Sequence, residues 1–402
     1  MSSSAVPVSR IRWRRGRVTA IGRSGRDTLE VTVDVPVDGE VRALAYRSLV
    51  GSPEVGDDVL LNTTALAQGL GTGGVALVVA VPDRLPPDPD GSGHLVKARY
   101  TPLQVSVRGV DEQGTEHHAL MVEADDLGGM PVVVADLHSA LPAILIGMLA
   151  TDPDLKVAYV MTDGGALPAA FSRTLAGLAP SLVGVVTVGQ AWGGDLEAVT
   201  LHSGLPAARH VLRADLAVVT QGPGNLGTGT PWGFSGVAAG EACNAVTVLG
   251  GDPIGALRIS DVDPRPRHRG VSHHSLTAFG RVALGGVTLV APRGLSSELG
   301  GQVEEDLAGQ PQRNTVVWVD TDGLETALGL SPVPLTTMGR GYPEERAYFL
   351  AAAAAGRFAA LRVPVPGTED DGDGDSTDAQ SADGDAADGD AADGDPAQRT
   401  AQ

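Results

Sequence analysis

The sequence predicts an α/β fold in which a mostly parallel, doubly wound sheet follows a small all-β, barrel-like N-terminal domain. Segments that alternate apolar and polar residues, separated by glycine-containing turns, occupy the first eighty or so positions. Continuous apolar strands alternating with helical segments occupy most of the remainder, a pattern typical of a parallel sheet covered on both faces. The Pro- and Gly-rich stretch Pro82–Gly93 lies between the two patterns and is typical of a linker.

These boundaries predict five segments. They are an N-terminal tail (1–10), a barrel-like domain (11–81), the linker (82–93), an α/β domain (94–363) and an acidic C-terminal tail (364–402). The last segment repeats Ala-Asp-Gly-Asp and has few apolar residues to bury, so it is expected to be disordered.

The barrel-like domain is expected to contain five strands, arranged as a small antiparallel barrel or sandwich. They are Arg17–Ile21, Thr28–Val35, Glu40–Tyr46, Asp58–Asn62 and Val75–Val81. Five arginines between Arg10 and Arg17 flank Trp13 at the start of the domain. Contact with RNA or phosphate is one interpretation, but a solvated edge strand whose charges oppose aggregation is favoured.

The α/β domain is expected to contain seven strands, at Pro131–Ala135, Val157–Met161, Leu182–Val188, Leu216–Thr220, Ala256–Ile259, Val287–Val290 and Thr315–Val319. Helical segments are predicted at Ala140–Ala150, Leu167–Leu178, Leu205–Leu212, within Phe234–Leu249 and at Pro343–Leu361. Ser139 is the predicted N-cap of the first of these helices.

Composition narrows the class of protein further. The hydrophobic fraction of 42% is sufficient for a packed core. The net charge is −20, of which residues 364–402 carry −11 and the rest of the chain −9. This negative charge argues against a general nucleic-acid binder. Cys243 is the single cysteine, so an intramolecular disulfide is excluded. The sequence shows neither a signal-peptide pattern nor an apolar run of membrane-spanning length, and a cytoplasmic protein without a membrane partner is expected.

Two loops that follow predicted strands form the candidate site. The glycine-rich loop is Gln221–Thr230, and the His/Arg loop is Asp261–Ser275. Backbone amides of the first loop can bind an anion, and guanidinium groups of the second suit phosphate geometry. The candidate ligand-binding residues are Gly222, Gly224, Asn225, Gly227, Arg265, Arg267 and Arg269. Although Gly222, Gly224 and Gly227 fit a dinucleotide pattern, Gly69, Gly71 and Gly74 fit it too, so that pattern has little weight.

Acidic and imidazole side chains near the same strand ends are candidates for the chemistry. His273, His274, Asp263 and Asp136 are the candidate proton-transfer residues, since imidazole titrates near neutral pH. A divalent metal is the alternative, with Asp261, Asp263, His268 and His138 as candidate ligands, although their spacing matches no zinc motif. The sequence leaves the cofactor open between none and a divalent metal.

Several long strings in this chain resemble one family. They are IRWRRGRV (11–18), LLNTTALAQGLGTGG (60–74), HLVKARYTPL (94–103), GPGNLGTGTPWG (222–233), GGDPIGALRI (250–259) and DVDPRPRHRGVSHHS (261–275). They are similar to the uncharacterised bacterial family called domain of unknown function 3866, over about Ile11–Leu361. The resemblance implies no activity.

Three functional hypotheses follow. The leading one is an α/β ligand-binding domain or enzyme that acts on an anionic small molecule, such as a phosphorylated or nucleotide-like compound. The second is a non-catalytic regulatory protein whose α/β domain senses a metabolite, and the third is a metal-dependent hydrolase. Whether the chain is an enzyme, and its oligomeric state, stay open at this point.

Overall fold

The computed structural model describes residues 9–71, 73–91 and 93–363. Most of the predicted N-terminal tail and the whole predicted acidic tail lie outside the described residues. Residues up to Val363 belong to one compact unit, which contains both the barrel and the α/β part.

A closed five-stranded barrel forms the N-terminal part. Its elements are β1 (Trp13–Ser24), β2 (Thr28–Val35), β3 (Gly39–Tyr46), α1 (Arg47–Val50), β4 (Asp58–Asn62), α2 (Thr64–Ala67) and β5 (Ala76–Ala80). The strand order is β1-β2-β3-β5-β4, and β1 pairs with β4 to close the barrel. The β3–β5 pair is parallel, whereas the sequence predicted an antiparallel barrel or sandwich. Strand alternation correctly indicated one buried face, but pairing partners distant in sequence cannot be inferred from alternation.

Four arginines at the start of β1 and just before it are paired with carboxylates. Arg12 and Arg14 each contact Asp38 at 2.7 Å, and Asp58 lies within 3.0–3.5 Å of Arg15 and Arg17. Charged pairs of this kind keep a strand solvated, which favours the interpretation of the arginine cluster as a solvated edge strand.

Between the barrel and the main sheet lie a short hairpin, β6 (Leu95–Lys97) and β7 (Val105–Val107), and a helix, α3 (His118–Glu123). The hairpin buries Lys97 completely, and its Nζ donates to the carbonyls of Ala191 and Ala198 at 2.9 and 3.1 Å. Carboxylate oxygen Oε2 of Glu197 lies 3.4 Å from the same nitrogen. This buried pair anchors the hairpin to the α/β part.

A wholly parallel sheet forms the centre of the α/β part, which confirms the mostly parallel sheet that the sequence predicted. It has eight strands where seven were predicted, and Leu196–Glu197 is the additional one. Its strands are β8 (Pro131–Val134), β9 (Val157–Thr162), β10 (Gly184–Thr187), β11 (Leu196–Glu197), β12 (Leu216–Gln221), β13 (Asp252–Ala256), β16 (Thr288–Pro292) and β17 (Thr315–Val319). The strand order is β11-β10-β9-β12-β8-β13-β16-β17. Two small antiparallel pairs accompany it, β14 (Ile259–Ser260) with β15 (Gly270–Val271), and β18 (Thr336–Thr337) with β19 (Arg340–Gly341).

Helices cover both faces of the sheet. They are α4 (Leu141–Leu149), α5 (Arg173–Leu178), α6 (Leu201–Pro206), α7 (Ala238–Val248), α8 (His273–Thr277), α9 (Ser297–Ala308), α10 (Leu324–Gly329) and α11 (Arg346–Ala360). The helices α4 and α11 pack on one face, while α6, α7 and α9 pack on the other. A Cβ atom at Gly147 of α4 would lie 1.9 Å from the carbonyl oxygen of Ala353, so these two helices touch through their backbones.

The strand order places a topological switch point between β12 and β8. The chain leaves β8 towards β9 through the α4 face, and it leaves β12 towards β13 through α7 on the opposite face. Helices that diverge in this way open a crevice beyond the carboxyl ends of the two strands, which is where open α/β sheets bind ligands.

Some predicted elements differ in detail. The strand predicted at Ala256–Ile259 is two elements, β13 and β14, separated at Leu257 and Arg258. The helix predicted at Leu167–Leu178 is a 3₁₀ turn (Ala169–Phe171) followed by α5, because Ser172 starts a new helix by accepting from the Leu175 amide. Ser139 is not a cap; its Oγ bonds the hydroxyls of Thr337 and Tyr348 instead.

Candidate functional site

A small pocket lies at the switch point. Its walls are the carboxyl ends of β8, β9 and β12 and the first turns of the segment that leads into α7, and its polar lining includes Asp136, Thr162, Gln221 and Ser235. Gly236 is required there, since a Cβ atom would lie 2.9 Å from Cβ of Asp136. The pocket therefore places Asp136 and Gln221 where the fold class predicts a ligand.

Gln221 and Asn225 shape the start of the glycine-rich loop. Nε2 of Gln221 donates to the carbonyl oxygen of Asp136 at 2.8 Å and to Oδ1 of Asn225 at 3.0 Å. Ser235 Oγ donates to the same Oδ1 at 2.9 Å, so Asn225 holds both ends of the loop together. We therefore assign Asn225 to loop geometry, whereas the sequence suggested direct contact with a ligand.

The glycine-rich loop and the His/Arg loop meet. A Cβ atom at Gly229 would lie 3.9 Å from Nη2 of Arg267. Phe234, held by an antiparallel bridge to Gly227, stacks on the imidazole of His274 with ring centroids 3.8 Å apart and planes 2° apart. The sequence hypothesis of an anion site required the two loops to lie together, and these contacts bring them together.

Three imidazoles of the His/Arg loop form a compact cluster. One ring nitrogen each of His268, His273 and His274 lie within 4.8 Å of one another. His273 and His274 start α8, where Ser272 is the N-cap and accepts from the His274 amide. The pair β14–β15 brings Gly270 back beside Ser260. This return of the chain places the His268 ring 4.9 Å, between centroids, from the rings of His273 and His274.

Asp136 from β8 reaches the same cluster. Its Oδ2 lies 3.4 Å from Nδ1 of His274, and both side chains are over nine-tenths buried. Neither atom has a hydrogen-bond partner among the residues that the structure describes. The same holds for Nε2 of His273 and Oε1 of Gln221. Buried polar atoms without partners are costly and indicate a group that binds there.

Two imidazoles of this cluster, those of His268 and His273, are held neutral. Burial, together with the positive charge of nearby arginines, lowers the pKa of His268 to about 3 and that of His273 to about 4. Arg258 acts on both rings, while Arg267 acts on His273. A neutral imidazole keeps a lone pair for a metal ion, whereas so low a pKa makes His268 and His273 weak bases near neutral pH.

Asp263 is an anchor for arginines and not a group open to substrate. Its fully buried carboxylate bonds Arg265 at 2.8 and 2.9 Å and lies 3.3 Å from both Arg258 and Arg340. The hydrogen bonds and the charge of Arg265 hold the pKa of Asp263 far below its usual range. A carboxylate with three cationic partners is a weak base, so we withdraw Asp263 as a proton-transfer residue and as a metal ligand.

Other predicted residues lie apart from the cluster. His138 is buried with Nδ1 3.0 Å from the Tyr159 hydroxyl and Nε2 2.6 Å from Ser172 Oγ, so both nitrogens are occupied by hydroxyls. Asp261 is exposed, and its charge acts on Arg346 at the start of α11. These positions remove His138 and Asp261 as ligands of the same metal.

The remaining ligand-binding candidates have separate roles. Arg269 donates to the Asp263 carbonyl at 3.0 Å, and Arg265 is held by the Asp263 carboxylate. Gly222 is packed against the backbone, since a Cβ atom there would lie 2.2 Å from the Ala166 carbonyl. Gly224, at φ +96°, faces open space, and a Cβ atom at Gly227 would lie 4.0 Å from the Gly233 carbonyl oxygen. Arg267 and Arg269 are both exposed, and Arg267 is the one whose guanidinium lies beside the loop.

Several residues of the site carried no signal in the sequence. Phe234 and Arg340 matter through contacts with the distant residues His274 and Asp263. Ser272 and Arg258 contact side chains within five residues of them, and these contacts depend on the folded conformation of the loop, which a single sequence does not reveal. Gly164 is another case, because a Cβ atom there would lie 2.5 Å from Oε1 of Gln221. The signal that was present, three histidines within seven residues, located the cluster itself.

The fold and the site together define an α/β protein with an N-terminal barrel and a histidine cluster at the sheet's switch point. Residues 42–356 match the family described as "Protein of unknown function (DUF3866)", and the chain belongs to that family. No curated protein and no solved structure gave a significant match. Among the described residues, the helices lack the combination of length and apolar character that crossing a bilayer requires.

Proposed function

We propose that this protein is an enzyme that acts on an anionic small molecule, of the phosphorylated or nucleotide-like class, bound at the switch point. Arg267 and the backbone amides around Gly224 and Gly227 hold the anionic group. The histidine cluster, with Asp136, is the reacting end of the site. We expect it to work in the cytoplasm without nucleic acid or membrane as a partner.

One observation carries this proposal, namely the contact between the two loops. The Arg267 guanidinium lies beside Gly229, and Phe234 stacks on His274. A ligand that reaches both loops therefore has its charge near a cation and its body near imidazoles. Guanidinium and backbone amides are the groups that bind phosphate most effectively in proteins.

Electrostatics support an anionic ligand. Arg258, Arg265 and Arg340 converge on Asp263, and Arg340 also bonds Glu345. Three cations and two anions leave a positive balance in this network. Arg267 adds a further cation at the rim, so the local field attracts an anion although residues 1–363 are acidic overall.

A binding assay on the full chain tests the proposal. Inorganic phosphate, a nucleoside monophosphate and a sugar phosphate are each titrated while the melting temperature is followed, since ligand bound to the native state raises it. We expect at least one probe to bind, and Arg267→Ala to weaken it by about tenfold or more because a charge-assisted bond is lost. Arg23→Ala removes the same charge from the exposed part of β1 and is the matched control.

Equal effects of Arg267→Ala and Arg23→Ala, or no binding of any of the three probes, would overturn the anion assignment. Turnover of the bound probe, followed by product analysis, separates an enzyme from a metabolite-sensing protein. Binding with no turnover would support the sensing alternative and contradict the catalytic part of the proposal.

A further inference from the structure

We propose that the histidine cluster is a metal site, in which His268, His273, His274 and Asp136 together bind one divalent transition-metal ion such as Zn²⁺. The binding itself does not depend on the proposed function. The role of the metal in acting on an anion does rest on that function.

The chemistry of the donor set fits this class of metal. Three imidazole nitrogens and one carboxylate oxygen are borderline ligands, which suit Zn²⁺ and its neighbours in the transition series and not Ca²⁺ or Mg²⁺. The four donors come from two separated parts of the chain, the end of β8 and the His/Arg loop. The fold therefore assembles the set, which is why no zinc motif appears in the sequence.

The distances fit a small cation. Metal–ligand bonds of 2.0–2.1 Å in a tetrahedral site place neighbouring ligand atoms about 3.4 Å apart. Oδ2 of Asp136 and Nδ1 of His274 are 3.4 Å apart. The three imidazole nitrogens lie within 4.8 Å of one another, so they must move closer together to complete a tetrahedral set around one ion.

Unpartnered atoms provide an independent reason for the assignment. Oδ2 of Asp136, Nδ1 of His274 and Nε2 of His273 are buried atoms without a hydrogen-bond partner among the described residues. Oδ2 of Asp136 has lost its hydration, and the approach of His274 Nδ1 to 3.4 Å does not replace that hydration with a hydrogen bond. One cation at the centre of the cluster would satisfy all three atoms at once.

Surrounding groups orient the ligands as metal sites require. Nδ1 of His268 bonds Ser272 Oγ at 2.7 Å, which leaves Nε2 of His268 for the ion. The Phe234 ring stacked on His274 fixes the plane of that imidazole. Partners of this kind set the ring orientation of metal-bound histidines, and their loss weakens metal binding by tenfold or more.

Carboxylates offset part of the positive charge around the cluster. The fully buried Asp263 lies 3.3 Å from Arg258, one of the cations whose charge acts on His268 and His273. Asp136 contributes a negative charge inside the cluster itself. With an ion bound, the site supplies a Lewis acid beside the anion-binding loop, and this would stabilise negative charge that develops on a substrate.

Direct metal binding tests the inference without any substrate. The full chain is stripped with a chelator, dialysed, and titrated with Zn²⁺ by calorimetry and with Co²⁺ by visible absorption. We expect one tight equivalent per chain and a Co²⁺ spectrum typical of nitrogen and oxygen ligands. His273→Ala and Asp136→Asn should each weaken this binding by at least tenfold, because each removes a ligand.

His202→Ala is the matched control, since His202 is exposed and lies outside the cluster. Circular dichroism and the melting temperature without metal check that every variant folds, and Asp136→Asn keeps the shape of the side chain. Absence of saturable binding in the natural chain would overturn the inference. So would tight binding kept in both variants, which would place the ion elsewhere, such as the aspartates of residues 364–402.

The two proposals fail separately. Anion binding that depends on Arg267 in a chain that binds no metal would refute the metal site alone. A tight metal equivalent in a chain that binds none of the anionic probes would refute the proposed function alone.

Discussion

Replacing Asp263 by asparagine is expected to destabilise the α/β part markedly. Asp263 is fully buried, and the side chain of Arg258, only 4% exposed, has its ion-pair contact there. In the variant, Arg340 still pairs with Glu345. The Arg265 side chain is 35% exposed, so water can solvate its charge. Arg258 is left as a buried charge without a counter-ion.

Removing one partner of a buried ion pair costs about 3–5 kcal/mol. Because one of the three arginines loses its counter-ion fully, we expect the lower end of this range, about 3 kcal/mol. Urea unfolding of the natural chain and of Asp263→Asn measures the difference, provided that the m-value is unchanged. Asp58→Asn is the control, since Asp58 is 30% exposed and pairs with exposed arginines; it should cost less than about 1 kcal/mol.

A loss below about 1 kcal/mol for Asp263→Asn would refute the reasoning. It would mean that Arg258 finds another partner or water, and that the three-arginine anchor does not determine the conformation of the His/Arg loop. A change in the m-value would instead indicate that the variant unfolds in more than one step.

Three further predictions follow from described contacts. The difference in unfolding free energy between the natural chain and Asp263→Asn should become smaller as the pH falls below about 4. The arginine contacts lower the folded-state pKa of Asp263, and their stabilisation is lost on protonation. Urea unfolding at pH 7 and pH 3 checks this, and a difference that does not change with pH would contradict it. Gly147→Ala should destabilise the protein by about 1–3 kcal/mol, because the added Cβ would overlap with α11. Gly301 of α9 faces open space, so Gly301→Ala should stabilise the protein by about 0.5–1 kcal/mol. Thermal unfolding measures both, and a shift of the melting temperature in the same direction for the two variants would be inconsistent with the packing. Tyr159→Phe should cost about 1–3 kcal/mol, since the buried Tyr159 hydroxyl joins His138 Nδ1 and Thr220 Oγ1; a neutral result in urea would mean that this network contributes nothing.

Local patterns were sufficient for most of the fold. The continuous apolar runs at Pro131–Ala135, Val157–Met161 and Leu216–Thr220 predicted a parallel sheet, because strands buried on both faces lack polar alternation, and β8, β9 and β12 lie there. Element boundaries were less predictable. At Ser172 and at Leu257–Arg258, a cap or a change of strand partner ended the element, and neither is visible in hydrophobic periodicity.

The candidate site was only partly predictable. Its location followed from strand ends and from the unusual density of histidine and arginine in the His/Arg loop, which are properties of the sequence itself. The separate roles of the residues within that loop could not be predicted from the sequence. Asp263 and His274 are both acid–base residues in one short segment, yet one faces three guanidinium groups and the other faces Asp136.

The sequence by itself determined the residue types, their order along the chain and the alternation of strands and helices. Tertiary structure alone decided which of those residues face each other. Strand order brings β8 beside β13 and sets Asp136 against the histidines, although more than 130 residues separate them in the chain. The physical reason is that periodicity records which side of an element is buried, while contacts across the fold depend on how all the elements pack together.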